Sequence, residues 1–445
     1  MKNRLGIVLI MLWITVSFFV SCSKKTVTDK SEIVLAEEFI MLLKNGDYAK
    51  ATERYDMVMK VALPSNQLKK AWEDNYKKYG EFQNIESQKT EISDKHVLVN
   101  NICNFEKGRL NVRVVFNPKK EVSGLWFLKP ETAGGYKLPS YARAESYKEE
   151  EVKFGQKEWE LPGTLTLPAG EGPFPCVILV HGSGPNNRDE SIGPNKPFKD
   201  LATGLASKGV AVLRYDKRTL IHGLKMKEIT TRTEVLDDVN EAVKFLQKDK
   251  RIDKIIILGH SLGGTLVPRI REENPNMDGF IIMAGATRPL EDLIEIQTRY
   301  IFSLDGKIDE EEKAKLKEIE ELRQEVKNLS SEPEKSKKDY LGAPVSYWMD
   351  LRDYKPHIEA GKITEPLLII QGGRDYQVTE EDYNNFKDEL QEKKNVTFKF
   401  YPSLNHLFIA GEGVSKPEEY SLPGHVDEQV VNDIADWVQG LQNNK

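Results

Sequence analysis

At 445 residues the chain exceeds the length at which a single hydrophobic core stops growing, so two domains are expected. It is 39% hydrophobic and 30% charged with a formal net charge of −6, the balance of a globular protein with a highly charged surface, and no basic excess points to nucleic acid. Three cysteines are too few for a disulfide framework, and neither Cys103 nor Cys176 has a metal-ligand partner at useful spacing, so no metal or other cofactor is expected.

Lys2 and Arg4 precede an apolar run from Leu5 to Val20 that stops at Ser21-Cys22-Ser23. The basic start and an apolar stretch short for a membrane span make residues 1–21 an export signal. Phe19-Val20-Ser21-Cys22 resembles a bacterial lipobox, with Phe19 in place of the preferred leucine. The resemblance implies cleavage before Cys22, lipidation of its thiol, and a protein exported and lipid-anchored to a bacterial membrane. An uncleaved anchor helix and an ordinary signal peptide are the alternatives, and both keep the protein outside the cytosol. Loss of Lys2 and Arg4 would leave the chain more acidic still, so no charge-driven grip on anionic lipid is expected.

A polar tether spans 22–30. Ile33, Val34, Phe39, Ile40 and Leu43 then form a helical stripe ended by Asn45-Gly46, followed by helical segments over 47–61 and 65–79. Alternating patterns over 82–92, 96–105, 110–116 and 122–128 predict four antiparallel strands. Residues 31–130 thus form a small α+β domain with no constellation of polar residues that suggests chemistry. A polar stretch over 131–150 predicts a linker, and the second domain occupies 151–445.

There, Cys176–Val180, Val210–Leu213, Ile255–Leu258, Phe280–Met283, Leu367–Ile370 and Val396–Phe400 are short apolar runs, as strands buried on both faces of a parallel sheet require. Amphipathic segments alternate with them, and the one over 231–247 opens with Thr231-x-x-Glu234, a capping box. The architecture is a doubly wound, mostly parallel α/β sheet. The long interval after Phe280–Met283 must hold an insertion, a helical cap over about 286–362. Its Tyr340, Tyr347 and Trp348 are expected either to shape a substrate pocket or to pack the cap onto the body.

Gly259-His260-Ser261-Leu262-Gly263 fits G-x-S-x-G between a predicted strand and a predicted helix, which is where a strained turn lifts a serine hydroxyl above the sheet. A serine needs a base to take its proton and a carboxylate to hold that base. Asp375 follows the strand Leu367–Ile370, and His406 follows Val396–Phe400, so the order Ser, Asp, His is the one this arrangement requires. His425 is the rival base; His181 is expected to be structural. The oxyanion formed on attack needs two backbone donors, expected from Leu262 and from Ser183 in the loop His181-Gly182-Ser183-Gly184-Pro185. Arg188, Asp189 and Asp216 are expected to form ion pairs that fix loops, and Pro268 to kink the helix after the serine.

These motifs, with Arg214-Tyr215-Asp216-Lys217-Arg218, Gln371-Gly372-Gly373-Arg374-Asp375 and Asn405-His406-Leu407-Phe408, resemble bacterial serine esterases of the α/β-hydrolase superfamily, in its dienelactone-hydrolase and prolyl-oligopeptidase-like branch. The resemblance implies cleavage of a small-molecule carboxylic ester through an acyl-enzyme. A peptidase or acyltransferase with the same triad is the alternative, and a non-catalytic surface-binding lipoprotein is a third reading. The front domain resembles modules of nuclear-transport-factor-2-like fold that precede such esterases in exported proteins.

Overall fold

The computed structural model describes residues 31–56, 59–60, 63–93, 96–128, 136–226, 228–329 and 339–441. The expected leader over 1–21, the expected tether with Cys22, and the first residues of the expected linker lie outside them. Among the described residues no helix is long and apolar enough to cross a membrane.

The chain divides into two compact units, 1–135 and 136–445. In the first, the helix Glu32–Lys44 buries Ala36, Phe39, Ile40 and Leu43, an i, i+3, i+4, i+7 stripe worth about 1.5–3 kcal/mol for each large side chain. Val34 falls off that stripe and is exposed. The helix ends where Gly46 takes a φ of +75°, which costs glycine nothing. Helices Tyr48–Glu53 and Ser65–Tyr79 follow. Strands β1 (Phe82–Ser93), β2 (His96–Phe105), β3 (Gly108–Phe116) and β4 (Val122–Leu128) make an antiparallel meander in sequence order. One face of the meander, with Val99, Cys103, Leu110, Val112 and Val114, shares a core with the helices and Trp72.

The second unit holds an eight-stranded sheet of order β14-β13-β10-β9-β7-β8-β6-β5. The strands are β5 (Tyr147–Phe154), β6 (Leu161–Pro168), β7 (Phe174–Val180), β8 (Ala211–Tyr215), β9 (Ile252–His260), β10 (Gly279–Met283), β13 (Leu367–Gly372) and β14 (Val396–Tyr401). A short ribbon of β11 (Asp339–Tyr340) and β12 (Ala343–Pro344) lies apart from it. β5 and β6 pair antiparallel, as do β6 and β8, and from β8 to β14 every pairing is parallel. The parallel strands β7 to β13 are buried on both faces, with separate clusters of side chains on either side of the sheet.

Two expectations need correction. The linker predicted over 131–150 runs too far: Tyr136 donates to Asp200 at 2.5 Å, Tyr141 donates to the Val426 carbonyl at 2.7 Å, and β5 begins at Tyr147. These polar residues belong to the second unit because their side chains reach buried acceptors there. Thr231 and Glu234 form no capping box. Thr231 is itself helical and gives both its N–H and its hydroxyl to Asp350 in the cap, while Glu234 turns to Lys217, and the segment Arg232–Leu236 is wound as a π-helix.

Candidate active site

β9 ends at His260 and the chain turns through Ser261 at φ 53°, ψ −116° into the short helix Leu262–Thr265. This turn is tight enough to dictate both flanking glycines. A Cβ on Gly259 would stand 2.2 Å from the Gly263 carbonyl oxygen, and one on Gly263 would stand 2.4 Å from that of Val180. The helix stops at Leu266 and restarts as Val267–Glu273 with Pro268 in its first turn, so the expected kink is a break.

Asp375 follows β13 and His406 follows β14. The buried Asp375 carboxylate lies 2.6 Å from His406 Nδ1, and its other oxygen accepts the N–H groups of Gln377 at 2.8 Å and Val378 at 3.0 Å. His406 reaches the serine turn through its neighbour: its carbonyl oxygen is 2.9 Å from His260 Nε2, and the two rings are 4.8 Å apart. Ser261 Oγ and His406 Nε2 are not hydrogen-bonded to each other or to other described residues. His425 instead holds Asp200 at 3.0 Å, and buried His181 contacts the Asn187 carbonyl at 3.1 Å. Burial holds His181 in its neutral form and lowers it to about 4.

The loop after β7 passes over the serine, since a Cβ on Gly182 would stand 3.1 Å from Ser261 Cβ and 3.5 Å from its Oγ. Buried charges grip it. Gly182 donates its N–H to Glu190 Oε1 at 2.6 Å and receives Lys217 Nζ on its carbonyl at 2.7 Å. Gly184 donates to Glu234 Oε1 at 3.2 Å, and the same oxygen pairs with Lys217 at 2.6 Å. Among the described residues the N–H groups of Ser183 and Leu262 have no acceptor, whereas those of Gly182 and Gly184 do. The expected loop-fixing pairs are present: Arg188 on Asp216 at 2.8 Å, and Asp189 against Arg214 and Lys196.

Non-glycine residues at positive φ gather here. Glu190, Ser261, Ala284 and Phe408 have φ values of 49°, 53°, 49° and 57°, a conformation that costs about 1–3 kcal/mol each and persists only where surrounding contacts enforce it.

Of the expected cap aromatics, Trp348 is turned into its own segment, whereas Tyr347 reaches the buried charges that grip the loop after β7. Trp348 is 3% exposed and its indole N–H donates to the carbonyls of Tyr340 at 2.8 Å and Ala343 at 3.1 Å. Tyr347 is buried within hydrogen-bonding reach of Glu234, and burial first, then that charge, pushes its phenol well up. The helix Leu290–Ser303 places other rings beside Asp375: Tyr300 stacks on Tyr376 at 5.0 Å, and Tyr376 lies 6.2 Å from Tyr420. No group of three His, Cys, Asp or Glu among the described residues could hold a metal ion.

Residues 173–412, more than half of the chain, match the family described as serine aminopeptidase, S33. The chain belongs to that family. Its second unit is therefore an α/β-hydrolase enzyme domain, and its first, over residues 36–125, matches a family described as a protein of unknown function, DUF3887, a nuclear-transport-factor-2-like module. Across 400 residues it is 38% identical to the esterase EstD of Thermotoga maritima, covering 90% of this chain and 93% of that relative. A kynurenine formamidase of Meyerozyma guilliermondii is 28% identical over 162 residues, 36% of this chain and 53% of that one. Among solved structures, Est1E from Butyrivibrio proteoclasticus is 18% identical with a TM-score of 0.42, covering 66% of this chain and 98% of its own.

Sequence reasoning missed Glu190 and His260, quoted Lys217 only within a motif, and read Glu234 as a helix cap, whereas it holds Lys217 and the Gly184 N–H. His260 stands inside the G-x-S-x-G motif as a variable position, and Lys217 inside a quoted motif, yet no spacing marks a charge that will be buried.

Proposed function

We propose that the protein is a serine esterase in which Ser261 attacks the ester carbonyl, His406 takes and returns the proton, and Asp375 holds the imidazole. The buried contact of 2.6 Å between Asp375 and His406, on loops joined to the serine turn, carries this reading. Asp375 fixes Nδ1 as the protonated nitrogen and stabilises the imidazolium formed when Nε2 accepts the serine proton. The unpaired N–H groups of Ser183 and Leu262 take the oxyanion, and the helix beginning at Leu262 adds its positive end. The tetrahedral intermediate collapses, breaking the ester C–O bond, and the alcohol leaves with the proton from His406. Water, giving its proton to the same histidine, then attacks the acyl-enzyme and releases the acid as Ser261 takes the proton back.

The choice of an ester rests on the similarity to the esterase of Thermotoga maritima. Labelling by a fluorophosphonate, lost in Ser261→Ala, together with turnover of nitrophenyl esters above that of peptide anilides, is the expected result. Preferential cleavage of anilides would make the protein a peptidase, and label on Ser261→Ala would remove the serine from the mechanism.

We also propose that Cys22 is lipidated after export and anchors the enzyme to a membrane, the apolar run ending at Cys22 being the motive. A fatty-acid analogue should label the wild type and not Cys22→Ala; an unlabelled wild type would refute the anchor.

A further inference from the structure

Next to the nucleophile lies a second acid–imidazole pair. Glu190 and His260 are 2% and 3% exposed. Glu190 Oε2 is 2.8 Å from His260 Nδ1, Glu190 Oε1 accepts the Gly182 N–H at 2.6 Å, and His260 Nε2 is 2.9 Å from the His406 carbonyl oxygen. A carbonyl oxygen can only accept, so Nε2 carries a proton; an ionised carboxylate can only accept, so Nδ1 carries one too. With Glu190 ionised, His260 is an imidazolium between two acceptors. Burial alone would lower His260 and raise Glu190, but their charges and shared hydrogen bond outweigh it and reverse both shifts. The charges of Asp375 and His181 also act on the pair, the His406 ring lies 4.8 Å from that of His260, and the Phe198 ring lies 6.3 Å from it.

One general rule and one observation separate this pair from ordinary core. A buried ion pair adds little to stability, since an apolar pair of similar shape serves the fold as well or better. Glu190 also sits at φ +49°, a conformation that needs external contacts to hold it, and it is joined by one chain of hydrogen bonds to the loop carrying Phe408 at φ +57°.

We propose that Glu190 and His260 are positioning residues that tie the oxyanion loop to the histidine loop. The chain Gly182 N–H, Glu190, His260, His406 carbonyl sets Ser183 and His406 in one fixed relation across Ser261. Because Glu190 occupies the Gly182 N–H, the next amide, that of Ser183, is left to face the oxyanion. The assignment rests on the Ser261–His406–Asp375 reading above.

The test uses the full-length chain, with active sites counted by labelling to completion with a fluorophosphonate and kinetics on a nitrophenyl ester. In E190Q the carbonyl still accepts from Gly182 and the amide donates to a neutral His260, whose Nε2 keeps its proton for His406. The connection survives without charge. In E190A it is cut. E190A should lose about 100-fold in kcat per labelled site with KM changed less than about threefold, and E190Q should recover to within about tenfold of wild type. If E190A lowers only the thermal midpoint and keeps its kcat, the pair is scaffold and the proposal is overturned; an E190Q as impaired as E190A overturns it as well. Should E190A not fold, H260N carries the test, with the same loss of kcat expected and an unchanged kcat refuting it. Ser261→Ala run alongside separates the two readings: activity in that variant sinks the triad and this assignment with it, whereas an inactive Ser261→Ala beside a fully active E190A sinks the positioning role alone.

Discussion

Replacing Asp375 by asparagine should preserve the fold and remove most of the turnover. One carboxylate oxygen accepts two backbone N–H groups at 2.8 and 3.0 Å, and the other faces His406 Nδ1 at 2.6 Å and Gln371 Nε2 at 3.3 Å. An asparagine fits with its oxygen toward the two N–H groups, because the opposite orientation sets donor against donor and forfeits two hydrogen bonds of about 1 kcal/mol each. Its NH2 then points at His406 Nδ1. The ring answers by moving its proton to Nε2, the nitrogen that accepts from the serine in the proposed mechanism, and any imidazolium that forms lacks its carboxylate. The expected fall in kcat/KM is about 10³–10⁴-fold, or about 4–5 kcal/mol at 1.36 kcal/mol per tenfold, while the thermal midpoint moves by no more than a few degrees. Ester hydrolysis and a thermal melt on the same preparation read both. A variant that retains more than a tenth of wild-type kcat/KM would show that Asp375 does not hold the base.

Trp348→Ala should cost about 3–5 kcal/mol of stability, as a buried indole with two hydrogen bonds implies, and leave the ratio of kcat/KM between short and long acyl esters unchanged; a tenfold change in that ratio would return Trp348 to the pocket. Gly263→Ala should fail to give soluble enzyme, since its Cβ meets main-chain oxygens at 2.4 and 2.8 Å, while Gly440→Ala, with nothing within 4 Å, should be near neutral in the same expression and melting assay. His181 is held neutral with its pKa lowered from 6.5 to about 4, so the stability it contributes is full above pH 6.5 and is lost as the pH falls through that window. Urea unfolding at pH 7 and pH 4.5 should show a drop smaller by about 2–3 kcal/mol in His181→Gln than in wild type, and equal drops would refute the burial argument.

The elements most legible in the sequence are those whose pattern follows from a single burial rule. The stripe Phe39, Ile40, Leu43, the alternation along β2 and β3, and the runs Ile255–Leu258 and Leu367–Ile370 each reflect one face or two faces in a core. The order of Ser261, Asp375 and His406 was readable because each follows an apolar run directly. β5 was not, because Tyr-Lys-Glu-Glu-Glu-Val-Lys-Phe is an edge strand with only Phe154 buried, and its acids serve Arg214, Arg251 and Arg188 instead of a core. Thr231-x-x-Glu234 misled for a related reason: both side chains found long-range partners, Asp350 and Lys217, that outcompeted the local cap. The Glu190–His260 pair is a product of tertiary contact 70 residues apart in the chain, and no periodicity encodes it.

The strand order also bears on how activity appears as the chain folds. Ser261 hangs from β9 near the middle of the sheet, but Asp375 and His406 hang from β13 and β14, the two strands added last at one flank. With the triad proposed above, a chain folding in order gains its nucleophile before it has an acid or a base, and hydrolysis begins only when the final strand docks. Until then the flank of β13, six consecutive residues that end up wholly buried, stands open to pairing with another chain. Truncated products ending before Val396 should accordingly be both inert and prone to aggregate.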